Sequence, residues 1–216
     1  MESNEKESGL SFERVVFFSD AVFAIVITLL VLEIKVPHIE GHTEQGVLQG
    51  LFHLLPKFIG FVMSFFIVGV MWIEHHRIFR FIERYDTGLL LRNLTFLLSV
   101  SFVPFPTALF SEYYWSRTAF ILYAATFGVV ALTKLWVWNY AARRPALLGP
   151  SSDAATVRRI SRRSLAVPIA CAAAIALSFV SVFLAPLGFT LIPLVARALD
   201  PGARGGGELA EEAPST

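Results

Sequence analysis

An aspartate, Asp20, lies inside an apolar run, with Arg14 six residues before it and Ser19 beside it. The twelve residues that follow, Ala21 to Leu32, hold nothing more polar than Thr28. Trp72, Glu74, His75 and His76 close a second apolar run, and Asn93 lies early in a third. These residue types suit three kinds of chemistry. A carboxylate and an imidazole can pass protons, carboxylate and hydroxyl oxygens can coordinate a cation, and Glu74-His75-His76 offers metal ligands. The metal reading fails on spacing, because adjacent histidines on a helix point in different directions and the H-E-x-x-H pattern is absent. Cys171 is the single cysteine and sits among apolar residues, so it reads as a packing residue with no disulfide or cysteine-based zinc site to join. No metal or other cofactor is expected.

The elements that must hold these groups belong to a membrane protein. Of 216 residues, 55% are hydrophobic and only 16% are charged, where a soluble domain has about a quarter charged. A net charge of +1 leaves no basic excess for neutralising phosphates, which argues against nucleic-acid binding. A carboxylate such as Asp20 costs about 2.5–3.5 kcal/mol at a membrane helix centre, so it is expected to face protein partners and not lipid.

A helix of about 20 apolar residues spans a bilayer. Six candidates are present, at about 14–36, 51–81, 89–110, 114–141, 165–184 and 186–199, the last short and separable from the fifth only at Ala185-Pro186. If those two are one broken helix, five spans remain. The acidic N-terminus, residues 1–11, lacks the basic region of a cleaved signal peptide and reads as disordered, like the Gly- and Glu-rich tail 201–216. Residues 12–200 are then one helical domain.

Arginines cluster in alternate loops: Arg77, Arg80, Arg84 and Arg92 after helix two, and Arg143, Arg144, Arg158, Arg159, Arg162 and Arg163 after helix four. The positive-inside rule then places both termini in the cytoplasm of a multi-pass protein. Tyr113, Tyr114 and Trp115 form an outer aromatic belt, Trp136, Trp138 and Tyr140 an inner one, and Lys134 lies where it can snorkel to the headgroups. This topology gathers Arg14, Ser19, Asp20, Trp72, His75 and Asn93 into one layer near the inner face. A structural network joining three helices is the preferred reading, with a proton relay or ion site as the alternative.

Helix one has two faces. At about 100° per residue and with Ile25 as origin, Arg14, Phe18, Leu29, Leu32 and Val36 fall within about 40°, and Ala21, Val22 and Thr28 within about 60°. Ser19 and Asp20 fall roughly 120° and 140° away. Periodicity does not say whether the apolar stripe meets lipid, a packed core or a pore, and lipid is the default.

The stretch RVVFFSDAVFAIVITLLVLEI fits an R-x-x-x-F-S-D pattern and resembles the first helix of the transmembrane protein 175 potassium channels. Trp72 and His75 in W-x-x-H, LRNLTFL around Asn93, and PFPT at 104–107 are similar to that family as well. The resemblance covers roughly residues 12–200 and implies an all-α integral membrane protein with six transmembrane helices per subunit. It further implies a homotetramer in a prokaryotic plasma membrane, with helix one lining a central pore. The function implied is a potassium-preferring cation channel with no K-channel-type pore loop, and no TVGYG-like segment is present. Ile25 would form a hydrophobic constriction with Thr28, Leu29 and Leu32 above it, and potassium would pass transiently near Ile25 and Thr28. Arg14, Phe18, Ser19, Asp20, Trp72, His75 and Asn93 match the family's signature positions, which hold helix one in place. The partners implied are potassium ions, membrane lipid and further copies of the chain.

The competing function is a proton-coupled secondary transporter using Asp20 and His75. No pair of discontinuous Gly/Pro helices marks a midplane substrate site for it. An intramembrane enzyme would need a nucleophile–base or metal pair that is not recognisable here. Glu33, Glu40 and Glu44 in the loop after helix one read as a solvated surface.

Overall fold

The computed structural model describes residues 2–39, 41, 43–150 and 152–199, with side chains from Phe12 onward. Its α-helices are α1 (Glu2–Leu29), α2 (Glu44–His53), α3 (Leu55–Phe79), α4 (Thr87–Ser101), α5 (Pro104–Glu112), α6 (Arg117–Ala142), α7 (Ala154–Arg163), α8 (Ala166–Ser178) and α9 (Leu191–Leu199). Short 3-10 turns at Leu30–Glu33, Pro145–Leu147 and Ala185–Thr190 join them. The backbone of residues 2–11, expected to be disordered, continues α1. Glu and Lys are strong helix formers, and extending a formed helix costs far less than starting one. The tail 201–216 lies outside the described residues.

Five stretches are long and apolar enough to cross a bilayer: Phe12–Glu33, Leu55–Phe79, Thr87–Glu112, Arg117–Ala142 and Ala154–Ser178. The sixth apolar segment, Ala185–Leu199, is shorter and begins as a 3-10 turn, with Pro186 at its start and Pro193 within it. The fifth crosser starts earlier than its apolar run suggests, because the arginines of α7 stay on one side while Ile160 is buried on the other.

Two spans are bent, and proline explains both. Pro104 and Pro168 have no N–H to offer Val100 and Ser164, four residues back, and their rings crowd those carbonyls. The chain responds with tighter bonds: Val103 N donates to Val100 O (3.1 Å) before the α5 bend, and Leu165 N to Arg162 O (3.0 Å) before α8. The α5 bend is tied by hydroxyls. Thr107 donates to the Val103 carbonyl (2.9 Å), so it must accept from Ser64 (3.0 Å), which in turn accepts from Tyr123 (3.0 Å).

The core is built on α6, whose Phe120, Tyr123, Phe127, Val130 and Trp138 are fully buried against α4, α5 and α8. Trp138, expected in a lipid-facing belt, is one of these, and its indole N–H donates to Ser161 Oγ at 2.9 Å. Lys134, expected to reach along the outside of the bundle, is only 3% exposed. Both point from α6 into the packing interface, an azimuth that their depth alone does not reveal.

At the Arg-rich end the two basic loops are laced together. Glu83 N donates to Leu147 O and Gly149 N to Phe81 O, both at 3.0 Å. Asp86 caps α4 by accepting from Leu89 N (2.7 Å) and also accepts from Tyr140 (3.0 Å). Arg92 and Arg144 each lie 3.8 Å from the centre of the Tyr140 ring. Slight burial pushes the Asp86 carboxyl up, but the Leu89 amide, the Tyr140 hydroxyl and Arg144 together hold it below the usual carboxylate value.

Candidate functional site at helix α1

Along α1 and into the 3-10 turn that follows it, Ser19, Phe23, Val26 and Leu30 recur at helical spacing and are all buried, packed on α3, α4 and α5. The other face stands clear of the subunit. Phe18 is 54% exposed, Ile25 57%, Leu29 39% and Leu32 67%, with Arg14 and Thr28 on the same open side. The stripe drawn from periodicity is therefore the face that the subunit leaves uncovered.

The buried face carries a connected chain of hydrogen bonds. Ser19 Oγ donates to the Val15 carbonyl at 2.9 Å, which commits its only proton. It must then accept from Asn93, whose Nδ2 is 3.0 Å away. That orientation turns Asn93 Oδ1 toward His75 Nε2, 3.2 Å away, so the proton on the His75 ring sits on Nε2. His75 Nδ1 is left buried without a partner. The imidazole is held between the rings of Phe79 (4.2 Å) and Phe96 (5.2 Å), with Phe23 tilted against it at 5.8 Å. One chain thus joins α1, α3 and α4 at a single depth.

Asp20 has a separate tie. The Trp72 indole N–H donates to its Oδ1 at 2.8 Å, at the edge of the α1–α3 contact. Ser19, Asp20, Trp72, His75 and Asn93 are thus brought together as expected. Arg14 and Phe18 are not part of this cluster. They lie on the open face, and Arg14 has no polar partner among the described residues. Among those residues no group of three or more His, Cys, Asp or Glu is placed to hold a metal ion.

Thr28 sits on the open face with its hydroxyl proton donated to the Ile25 carbonyl at 2.8 Å. Its oxygen lone pairs are left to point outward, so this position offers a cation an acceptor and no competing donor. Sequence reasoning missed two polar positions outright: the Ser64–Thr107–Tyr123 tie and the burial of Lys134. The signal for the first was three hydroxyls in apolar spans, each needing a partner, although sequence does not say which.

Residues 14–104 match the family described as the endosomal/lysosomal potassium channel TMEM175. A potassium channel of Chamaesiphon minutus is 41% identical over 79% of this chain and 86% of its own length. One from Streptomyces collinus is 38% identical over 81% of this chain and 84% of its own. The crystal structure of a lysosomal potassium-selective channel TMEM175 homolog from Chamaesiphon minutus superposes with a TM-score of 0.75 at 37% identity, covering 88% of this chain and 98% of that one. With a bundle of bent apolar helices and α1 pinned by Ser19, Asp20, Trp72, His75 and Asn93, the chain belongs to the TMEM175 channel family.

Proposed function

We propose that the chain is one subunit of a potassium-preferring cation channel in a prokaryotic plasma membrane, with both termini cytoplasmic. Four copies surround an axis lined by α1, and Ile25 makes the constriction, with Thr28, Leu29 and Leu32 in the layers beyond it. The reading is carried by one observation: α1 turns Ile25, Leu29 and Leu32 outward while its opposite face is fixed to the bundle by polar bonds. A helix tied this firmly presents its open stripe at a set angle to whatever lies there. Relatives named as potassium channels supply the ion.

The physics follows from the residues. A ring of isoleucine side chains excludes water when narrow and passes ions when dilated, so it gates by dewetting. Potassium sheds water more readily than sodium, which favours it at an apolar neck. Four Thr28 oxygens, their protons turned back to the Ile25 carbonyls, partly replace that water just beyond the neck. Asp20 does not conduct; it orients α1 through Trp72. A proton-coupled carrier would need Asp20 and His75 to exchange a proton, yet they are committed to different partners, Trp72 and Asn93.

The test is flux from potassium-loaded liposomes containing the purified protein. A protein-dependent collapse of the imposed gradient is expected, with potassium passing faster than sodium. Absence of cation flux across a wide range of pH and voltage defeats the channel reading. Ile25→Asn, which wets the neck, is expected to raise conductance or lower the preference for potassium, and an unchanged current removes Ile25 from the constriction.

A further inference from the structure

Away from α1, a cleft of about 390 Å³ opens between α3, α6, α8 and α9. Most of its wall is apolar, from Phe66, Val70, Met71, Val167, Phe189 and Ile192. One end is polar, formed by Glu74, Lys134, Arg163 and Ser164. The cations outnumber the anion. Glu74 is claimed twice, by Arg77 at 2.7 Å and by Arg163 at 3.7 Å. Lys134 is 3% exposed, and it shares the attraction of Glu74 with these arginines, which repel it. Ser164 Oγ is likewise buried with no partner.

A buried hydroxyl without a partner and two cations that share one carboxylate, all lining one cleft, call for a further anionic acceptor. An anion there would satisfy the hydroxyl and balance the excess positive charge. The apolar remainder of the cleft calls for hydrocarbon. Under the topology proposed above, this polar end lies near the cytoplasmic surface, where anionic headgroups sit. We propose that the cleft binds an anionic phospholipid. Its phosphate is held by Lys134, Arg163 and Ser164, and an acyl chain lies along Phe66, Val70 and Ile192. The chain's own C-terminal tail, which follows α9 and carries Glu208, Glu211 and Glu212, supplies charge but too little hydrocarbon to fill such a wall. The site is separate from the α1 face, so its occupancy is measured without any ion current.

The experiment is lipid titration of the full-length protein in neutral detergent, read as bound-lipid mass by native mass spectrometry. Phosphatidylglycerol, phosphatidylcholine with the same tails, and palmitate form the three arms. Phosphatidylglycerol is expected to bind at least tenfold more tightly than phosphatidylcholine and more tightly than palmitate. That preference should vanish in Lys134→Met, fall in Arg163→Gln, and survive in Lys134→Arg. Equal binding of the two phospholipids overturns the proposal, as does full phosphatidylglycerol binding by both Lys134→Met and Arg163→Gln. If Lys134→Met does not fold, Arg163→Gln and Lys134→Arg still decide. Palmitate binding best assigns the cleft to a free carboxylate and not to a phospholipid. Phosphatidylglycerol binding that appears only once Glu208, Glu211 and Glu212 are all changed to Gln makes the tail the occupant.

Discussion

Asn93 is the residue on which the α1 anchor turns. It accepts from His75 and donates to Ser19, so two helices reach α1 through one amide. Asn93→Ala leaves the His75 N–H and the Ser19 oxygen unpaired in a dry layer, at about 1–3 kcal/mol per unsatisfied group. The expected result is an apparent melting temperature in detergent lowered by roughly 5 °C or more, read by intrinsic fluorescence. A melting curve identical to the wild type removes Asn93 from the anchor. On the opposite face of α1, Thr28→Val keeps shape and loses the outward oxygen. Single-channel conductance is expected to fall severalfold while the melting temperature stays within about 2 °C. The identity of these residues was legible in sequence because a polar side chain in an apolar span must find a partner. Their pairing was not. Depth puts Asp20 and His75 in one layer, but only the azimuth of each side chain decides that Trp72 takes the first and Asn93 the second.

At the level of helices, length and apolarity found the spans, while bends and boundaries came from chemistry that periodicity averages away. The prolines at 104 and 168 were visible in the sequence. Their effect appears four residues earlier, at Val100 and Ser164, where an apolar count has no reason to look. Close approach was equally hidden. Gly188 lies where an added Cβ would come within 2.6 Å of the Ala174 backbone, so the 3-10 segment and α8 touch only because both residues are small. Gly188→Ala is expected to force them apart and cost about 1–3 kcal/mol. Gly69 in the middle of α3 has nothing within 4 Å of where a Cβ would lie. Gly69→Ala should therefore be neutral or slightly stabilising through helix propensity. Thermal melts of the two variants check the contrast, and equal losses would show that packing at Gly188 is not limiting.

For the whole molecule, the open stripe of α1 is meaningful only if further copies complete it. Native mass spectrometry of the purified protein is expected to give four times the chain mass. Oxidised Ile25→Cys should yield disulfide-linked dimers, since Cys171 is buried and offers no competing bridge. A monomer that never crosslinks defeats the central pore. That the two basic loops lie at one end of the bundle was legible because arginines fall in alternate loops, and those same loops are laced together through Phe81, Glu83, Leu147 and Gly149. That lacing was illegible, since it is made by backbone groups that any residue carries.

The two-sidedness of α1 also governs how such a protein can change. Ile25, Thr28 and Leu32 touch little within their own subunit, whereas Ser19, Phe23, Val26 and Leu30 hold it together. On the proposed pore arrangement, substitutions on the outward stripe retune conduction while leaving expression and subunit folding intact. Those on the inward face remove the protein before conduction can be measured. A screen that scores folded protein will pass variants of the first kind unseen, and one that scores current will confuse the second kind with loss of a pore.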